Sequence, residues 1–306
     1  MKHFLTLLDY SPAEIQHLLD LAIRLKKAYK SGGNKPILQG KTLALLFQKP
    51  SLRTRTSFEL GMVHLGGYAL SLSPAEVKMG VRETPADVAR VLSGYVSAVM
   101  ARVLRHEDIL ELAEYSTIPV INGLSDYNHP AQALTDLLTI LEARGRLAGQ
   151  RVVYLGDGNN VSRSLLFGAM MTGVDFVLAS PSKYMLSEED FEMADSIKVD
   201  GAKFSTYIDP VEAVQNADVL YTDVWTSMGQ EAETAERLRV FPPYQINNDL
   251  LKHAKPDAIV MHCLPAHRGE EIASEPLDGP QSVVFSQAEN RLHAQKAILA
   301  HLLASE

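Results

Sequence analysis

One cysteine, Cys263, stands in the whole chain, so no internal disulfide can form. That excludes a stapled secreted scaffold and fits a reducing compartment. No apolar run approaches the roughly 18 residues that a membrane-spanning helix needs. At the N-terminus the apolar stretch from Phe4 to Leu8 ends at Asp9, too soon for a secretory leader. The expected location is cytoplasmic. Positive charge is also in short supply: 29 Lys and Arg against 37 Asp and Glu leave a formal net charge of −8. An acidic chain suits neither nucleic acid nor an anionic membrane as partner. It still permits an anionic small substrate, because local arginines override the net field. There is no Pro/Ser-rich linker, low-complexity tract or solenoid repeat. What is present is globular: 306 residues, 46% hydrophobic and 22% charged, enough chain for two cores.

Strand and helix signals alternate along it. Ser11-Pro12-Ala13-Glu14 opens a helix with a capping Ser, Pro at the first helical position and Glu for the capping box. Ser31-Gly32-Gly33-Asn34 stops that helix. Strands are expected at Lys41–Phe47, Tyr68–Ser73, Ala98–Val103 and Ile118–Ile121, with helices between them. A helix after Asn128-His129-Pro130 runs to Gly145. The pattern then restarts. Strands are expected at Arg151–Leu155, Asp175–Ala179, Lys203–Ile208, Asp218–Val224, Ala258–Cys263 and Ser282–Phe285, followed by a final helix, Glu289–Leu303. Alternation of this kind predicts an α/β fold with parallel sheets covered by helices on both faces. Gly145, Gly149 and Gln150 mark the junction of two such units, which should pack closely around a cleft.

Four stretches carry chemistry at expected strand ends, where open α/β sheets place their ligands. In Ser51-Leu52-Arg53-Thr54-Arg55 a tight turn opens a helix whose N-terminus offers hydroxyls, arginines and free N–H groups to a phosphate. A capped helix with surface arginines explains the same residues equally well. His129-Pro130-Ala131-Gln132 puts His129 and Gln132 on one face of a first helical turn. A helix N-terminus favours neutral imidazole there; a capping His beside a solvated Gln is the plain alternative. Asp223 leads into the loop Trp225-Thr226-Ser227-Met228-Gly229. His262-Cys263-Leu264-Pro265 ends a short apolar run, and Pro265 cannot continue a sheet ladder. Alone, that stretch reads as a buried hydrophobe beside a structural histidine. A zinc site from His262, Cys263 and His267 is disfavoured, since no second cysteine pair accompanies them. Gly156-Asp157-Gly158 follows a strand, but Val161 replaces the third glycine of a dinucleotide fingerprint and no acid ends the next strand.

Taken together and in this order, the four stretches resemble the aspartate/ornithine carbamoyltransferase family, and the last two resemble its ornithine-using members. The resemblance runs over nearly the whole chain. It implies two doubly wound parallel-sheet domains joined by two helices. Residues 1–148 would form a carbamoyl-phosphate-binding domain to which helix 289–306 returns, and residues 149–288 an ornithine-binding domain. It implies transfer of the carbamoyl group to the δ-amino group of L-ornithine, giving L-citrulline and phosphate, an activity of arginine metabolism. By similarity, Ser51, Leu52, Arg53 and Thr54 hold the phosphate; Leu52 contributes its N–H where the family often has Thr. Arg102, His129 and Gln132 contact the carbamoyl group, with Arg291 a further carbamoyl-phosphate contact. Asn160, Asp223, Ser227 and Met228 contact ornithine. Cys263 and Leu264 line the reaction centre, and Arg102, His129, Asp223 and Cys263 are the catalytic candidates. The implied assembly is a homotrimer in which the loop Glu76–Glu83 of a neighbour, through Lys78 or Arg82, closes over the phosphate. No cofactor and no metal are expected. Three other readings stay open on sequence: a different acceptor amine, a nicotinamide dehydrogenase, and a silent binding module.

Overall fold

The computed structural model describes residues 2–226 and 230–304. Its strands form two parallel sheets. The first contains β1 (Thr42–Phe47), β2 (Tyr68–Leu72), β3 (Ala98–Arg102) and β4 (Val120–Leu124), in the order β2-β1-β3-β4. Around it lie α1 (Pro12–Lys30), α2 (Leu52–His64), α3 (Pro74–Val77), α4 (Pro85–Ser93), α5 (His106–Glu114) and the start of α6 (Pro130–Arg144). The capping box expected at Ser11 is formed: its side chain accepts from Glu14 N–H, and the Glu14 carboxylate accepts from Ser11 N–H. β1 and β3 are central and read as unbroken apolar runs, as strands covered on both faces must. β2 is an edge and leaves Tyr68 and Leu70 exposed.

The second sheet contains β5 (Arg151–Leu155), β6 (Asp175–Ala179), β7 (Lys203–Tyr207), β8 (Val219–Thr222) and β9 (Ile259–His262), in the order β7-β6-β5-β8-β9. Helix α7 (Asn160–Thr172) follows β5. The core on one face of this sheet joins Val153, Leu155, Val177 and Leu220 to an aromatic group of Tyr184, Trp225, Phe241 and Tyr244. The chain ends in a C-terminal helix, Val284–Leu303.

Packing divides the chain into residues 1–138 with 289–306, and residues 139–288. The division falls inside α6 and inside the C-terminal helix, so these two helices carry the chain between the units. Gly145, directly after α6, adopts a positive φ that ends the helix. The strand expected at Ser282–Phe285 is not formed. Ser282 makes one isolated bridge to Val260, and the C-terminal helix already starts at Val284. A short β-branched pair fits a helix start as well as a strand, and packing decides. β4 begins two residues later than expected, because Thr117 and Ile118 donate their N–H groups to Ser93 and Ser116 and Pro119 has none.

Each sheet has one topological switch point, where crossovers leave in opposite directions. In the first sheet it lies between β1 and β3, whose ends pair Phe47 with Arg102. In the second it lies between β5 and β8, whose ends pair Leu155 with Thr222.

Candidate active site

In the first unit, Ser51 follows β1 and stands at the N-cap of α2, yet its side chain makes no capping hydrogen bond and the first turn carries no acid. Ser11, Thr84, Asn159 and Ser187 all cap their helices. The start of α2 therefore keeps unsatisfied N–H groups and a positive dipole end, the features that attract an anion. Ser51 Oγ accepts from Arg102 Nη1 at 3.2 Å. Leu52 projects its side chain into solvent, which leaves its backbone as its contribution. Thr54 is fully buried, and its Oγ1 accepts from Arg291 Nη2 at 2.7 Å. Arg291 Nη1 donates to Gln132 Oε1 at 2.9 Å, and Gln132 Nε2 donates to Asp136 Oδ1 at 2.8 Å. Arg291 thus joins α2 to α6 from the C-terminal helix. Because Thr54 accepts from a cation, its own hydroxyl proton is left to donate elsewhere.

His129, just before α6, is buried. Burial holds its pKa well below the ordinary 6.5, and the Arg291 and Arg102 guanidiniums push the same way. The imidazole is neutral at pH 7 and offers one ring N–H. Neutrality was expected from the helix end; burial and two arginines supply it. Arg53 sits in the first turn of α2. Lys78, at φ +46°, and Arg102 line a cavity of about 490 Å³ whose walls include Phe47, Leu72, Met79 and Leu104. Arg82 is exposed on the same loop.

In the second unit, Asp223 follows β8 and is buried. Cys263 Sγ donates to Asp223 Oδ1 at 3.0 Å, and Asn159 Nδ2 donates to Asp223 Oδ2 at 3.4 Å. Burial, and the carboxylate of Asp223 beside it, push the Tyr154 phenol well above its ordinary range, so it stays a neutral donor. Its hydroxyl donates to Asn159 Oδ1 at 3.3 Å. Asn160 begins α7. Leu264 adopts φ +56° and donates its N–H to His262 Nδ1 at 2.8 Å. That bond makes Nδ1 the acceptor and leaves Nε2 to carry the proton towards Glu271 Oε1 at 2.9 Å. His262 N–H donates to Gln287 Oε1 at 2.9 Å. Ligand-type atoms of Asp223, His262 and Cys263 lie within 4.8 Å of one another; both His262 ring nitrogens are engaged as described. Ser227 and Met228 lie outside the described residues.

The glycine pattern after β5 has a structural cause. Gly156 sits at φ +132°, and a Cβ on Gly158 would come within 2.5 Å of the Leu186 backbone. Gly158 N–H donates to Tyr184 O at 2.7 Å. The chain's own backbone fills the space that a dinucleotide would need.

Sequence reasoning missed Glu271, Tyr154 and Gln48. Glu271 is fully buried and accepts from both His262 and His267 N–H. No signal in the sequence singles it out, because its burial and its partners exist only in the folded chain.

The family model for the aspartate/ornithine carbamoyltransferase carbamoyl-P binding domain matches residues 2–142, and that for the Asp/Orn binding domain matches residues 148–302. An ornithine carbamoyltransferase of Pyrococcus abyssi is 54% identical over 303 residues, covering 99% of this chain and 96% of the relative. One of Bacillus subtilis is 54% identical over 305 residues, covering 99% and 94%. The solved ornithine carbamoyltransferase of Pyrococcus furiosus superposes with a TM-score of 0.97 at 53% identity, covering 100% of this chain and 98% of the other. That of Thermus thermophilus gives 0.89 at 46% identity, covering 99% of each. On matches of this length and identity, the chain belongs to the aspartate/ornithine carbamoyltransferase family.

Proposed function

We propose that this enzyme transfers the carbamoyl group of carbamoyl phosphate to the δ-amino group of L-ornithine, giving L-citrulline and phosphate. The observation that carries the reading is the uncapped start of α2 beside Arg102 at the first switch point. Ser51, Arg53 and the N–H groups of Leu52 and Thr54 hold the phosphate, and Lys78 adds a cation. Arg102, neutral His129 and the Thr54 hydroxyl stabilise the oxyanion that develops on the carbamoyl carbonyl. Gln132 and Arg291 hold that arrangement together. As the neutral amine nitrogen bonds to the carbonyl carbon, the bond from that carbon to the phosphate oxygen breaks, and the phosphate leaves on the charge already assembled for it, taking up the proton the amine gives up.

In the second unit Asp223 accepts from the ornithine δ-amine, with Asn160, Ser227 and Met228 on the rest of the amino acid. The thiol of Cys263 donates to Asp223 Oδ1 and so orients that carboxylate. This supports a positioning role for Cys263 over a covalent one, since carbamoyl phosphate is already activated. Leu264 contributes backbone on the same turn.

The enzyme works as a homotrimer. An edge strand that exposes Tyr68 and Leu70, and Val81 almost fully exposed on the 78–83 loop, support a subunit contact. A cytoplasmic location is supported by the single cysteine. Among the described residues no helix is long and apolar enough to cross a membrane. A colorimetric assay for the ureido product with ornithine, putrescine, aspartate and acetylornithine tests the assignment. Ornithine should be strongly preferred; preference for another amine overturns it.

A further inference from the structure

Gln48, the residue after β1, makes four hydrogen bonds that converge from separate elements. Its backbone N–H donates to Arg102 O at 2.9 Å. Its Oε1 accepts from Leu104 N–H at 2.6 Å. Its Nε2 donates to Asp108 Oδ2 at 3.0 Å and to Met79 O at 3.4 Å. The partners fix which end of the amide is which: an N–H faces the oxygen, and a carbonyl and a carboxylate face the nitrogen. One side chain therefore ties the end of β1 to the extension of β3, to α5 and to the 78–83 loop.

The loop is shaped to be held at that point. Gly80 N–H donates to Glu83 O, and the N–H groups of Val81 and Arg82 donate to Lys78 O, all within 2.9 Å. Met79 is buried in the core with Leu46 and Val99. Lys78, Val81 and Arg82 remain exposed at the tip. Gln48 grips both sides of Val103, its backbone N–H on Arg102 O and its side-chain Oε1 on Leu104 N–H, directly after the arginine that contacts Ser51.

We infer that Gln48 is a positioning residue for the carbamoyl-phosphate half of the site: it fixes the 78–83 loop and the backbone that aims Arg102. This rests on the assignment of Ser51, Arg53 and Arg102 to carbamoyl phosphate.

The test uses donor and acceptor exchange in the full-length enzyme. Gln48→Glu keeps the shape and the acceptor for Leu104, but sets a second carboxylate against Asp108 and removes the donor to Met79 O. The carbamoyl-phosphate KM should rise about tenfold, with the ornithine KM near wild type. Adding Asp108→Asn returns a donor to the pair and should bring the KM back to within about threefold of wild type. Amide hydrogen exchange at Gly80, Val81 and Arg82 should quicken in Gln48→Glu and slow again in the double variant. A simple structural strut would lower thermal stability without this split or rescue. Unchanged exchange in Gln48→Glu overturns the clamp whatever the kinetics. A wild-type KM in Gln48→Glu, or no rescue by Asp108→Asn, overturns the positioning role when Arg53→Ala raises the KM. A wild-type KM in Arg53→Ala overturns the phosphate assignment itself, and the exchange data then still decide the clamp.

Discussion

The thiol of Cys263 donates to Asp223 Oδ1 at 3.0 Å, so the single cysteine of the chain is a hydrogen-bond donor to a buried carboxylate. A donor in this position holds the carboxylate's free lone pairs towards an incoming ammonium or amine. Cys263→Ser keeps a donor and should retain most of the activity. Cys263→Ala should lose roughly ten- to hundredfold in kcat/KM for ornithine, the worth of a hydrogen bond to a charged group. Steady-state kinetics decides. Total inactivity of both variants, with a carbamoyl group trapped on the native enzyme, would instead establish covalent catalysis.

Asp223→Asn should impair ornithine handling and leave carbamoyl-phosphate affinity near normal. Calorimetric titration of the variant with each substrate measures this. Selective loss of carbamoyl-phosphate binding would reverse the division of roles between the two units.

Arg53→Ala should weaken carbamoyl-phosphate binding and slow turnover together, by about 2–3 kcal/mol for a charge-assisted contact to phosphate. A kinetically normal variant removes Arg53 from the phosphate site.

Activity should climb from neutral to alkaline pH. The attacking amine is lysine-like, with a solution pKa near ~10.4, and only its neutral form attacks. His129 adds no inflection near neutrality, because burial keeps it uncharged well below pH 6.5. A flat profile with chemistry rate-limiting contradicts this account.

Acid should destabilise the first unit through His293. Its pKa is pushed down to about 4, first by burial and then by Lys296 and Lys26, with Glu289 opposing. A histidine whose folded pKa lies below its unfolded value of 6.5 contributes full stability above pH 6.5. That contribution is lost as pH falls towards 4 and amounts to roughly 3 kcal/mol. Denaturant unfolding of His293→Gln should show a shallower acid limb between pH 6.5 and 4 than the parent; an identical limb refutes the assignment.

Two impaired variants should complement each other if the exposed tip of the 78–83 loop serves a neighbouring subunit. Arg53→Ala and Lys78→Ala, dissociated and reassembled together, should recover activity in mixed trimers. No recovery, with mixing confirmed by native mass spectrometry, means the loop serves its own chain.

Much of this protein was legible locally. The Ser11 capping box, the start of α2 at Ser51 and the apolar runs of β1, β3, β5 and β8 are signals contained within a few residues. The motifs from Ser51 to Pro265 were enough to indicate the family. Strand order was not legible, because neighbours in a parallel sheet are chosen by long-range packing that leaves no mark on either strand. Only the folded chain set β1 beside β3 and β8 beside β9, and so brought Ser51 to Arg102 and Cys263 to Asp223. The bridge from Arg291 to Thr54 spans 237 positions, and no periodicity encodes it. Gln48 and Glu271 were invisible for a related reason. A single buried polar side chain has no sequence signature, and its partners exist only once separate elements meet around it. The failed strand at Ser282–Phe285 shows the converse: a local preference shared by helix and strand yields to whichever core is there to cover it.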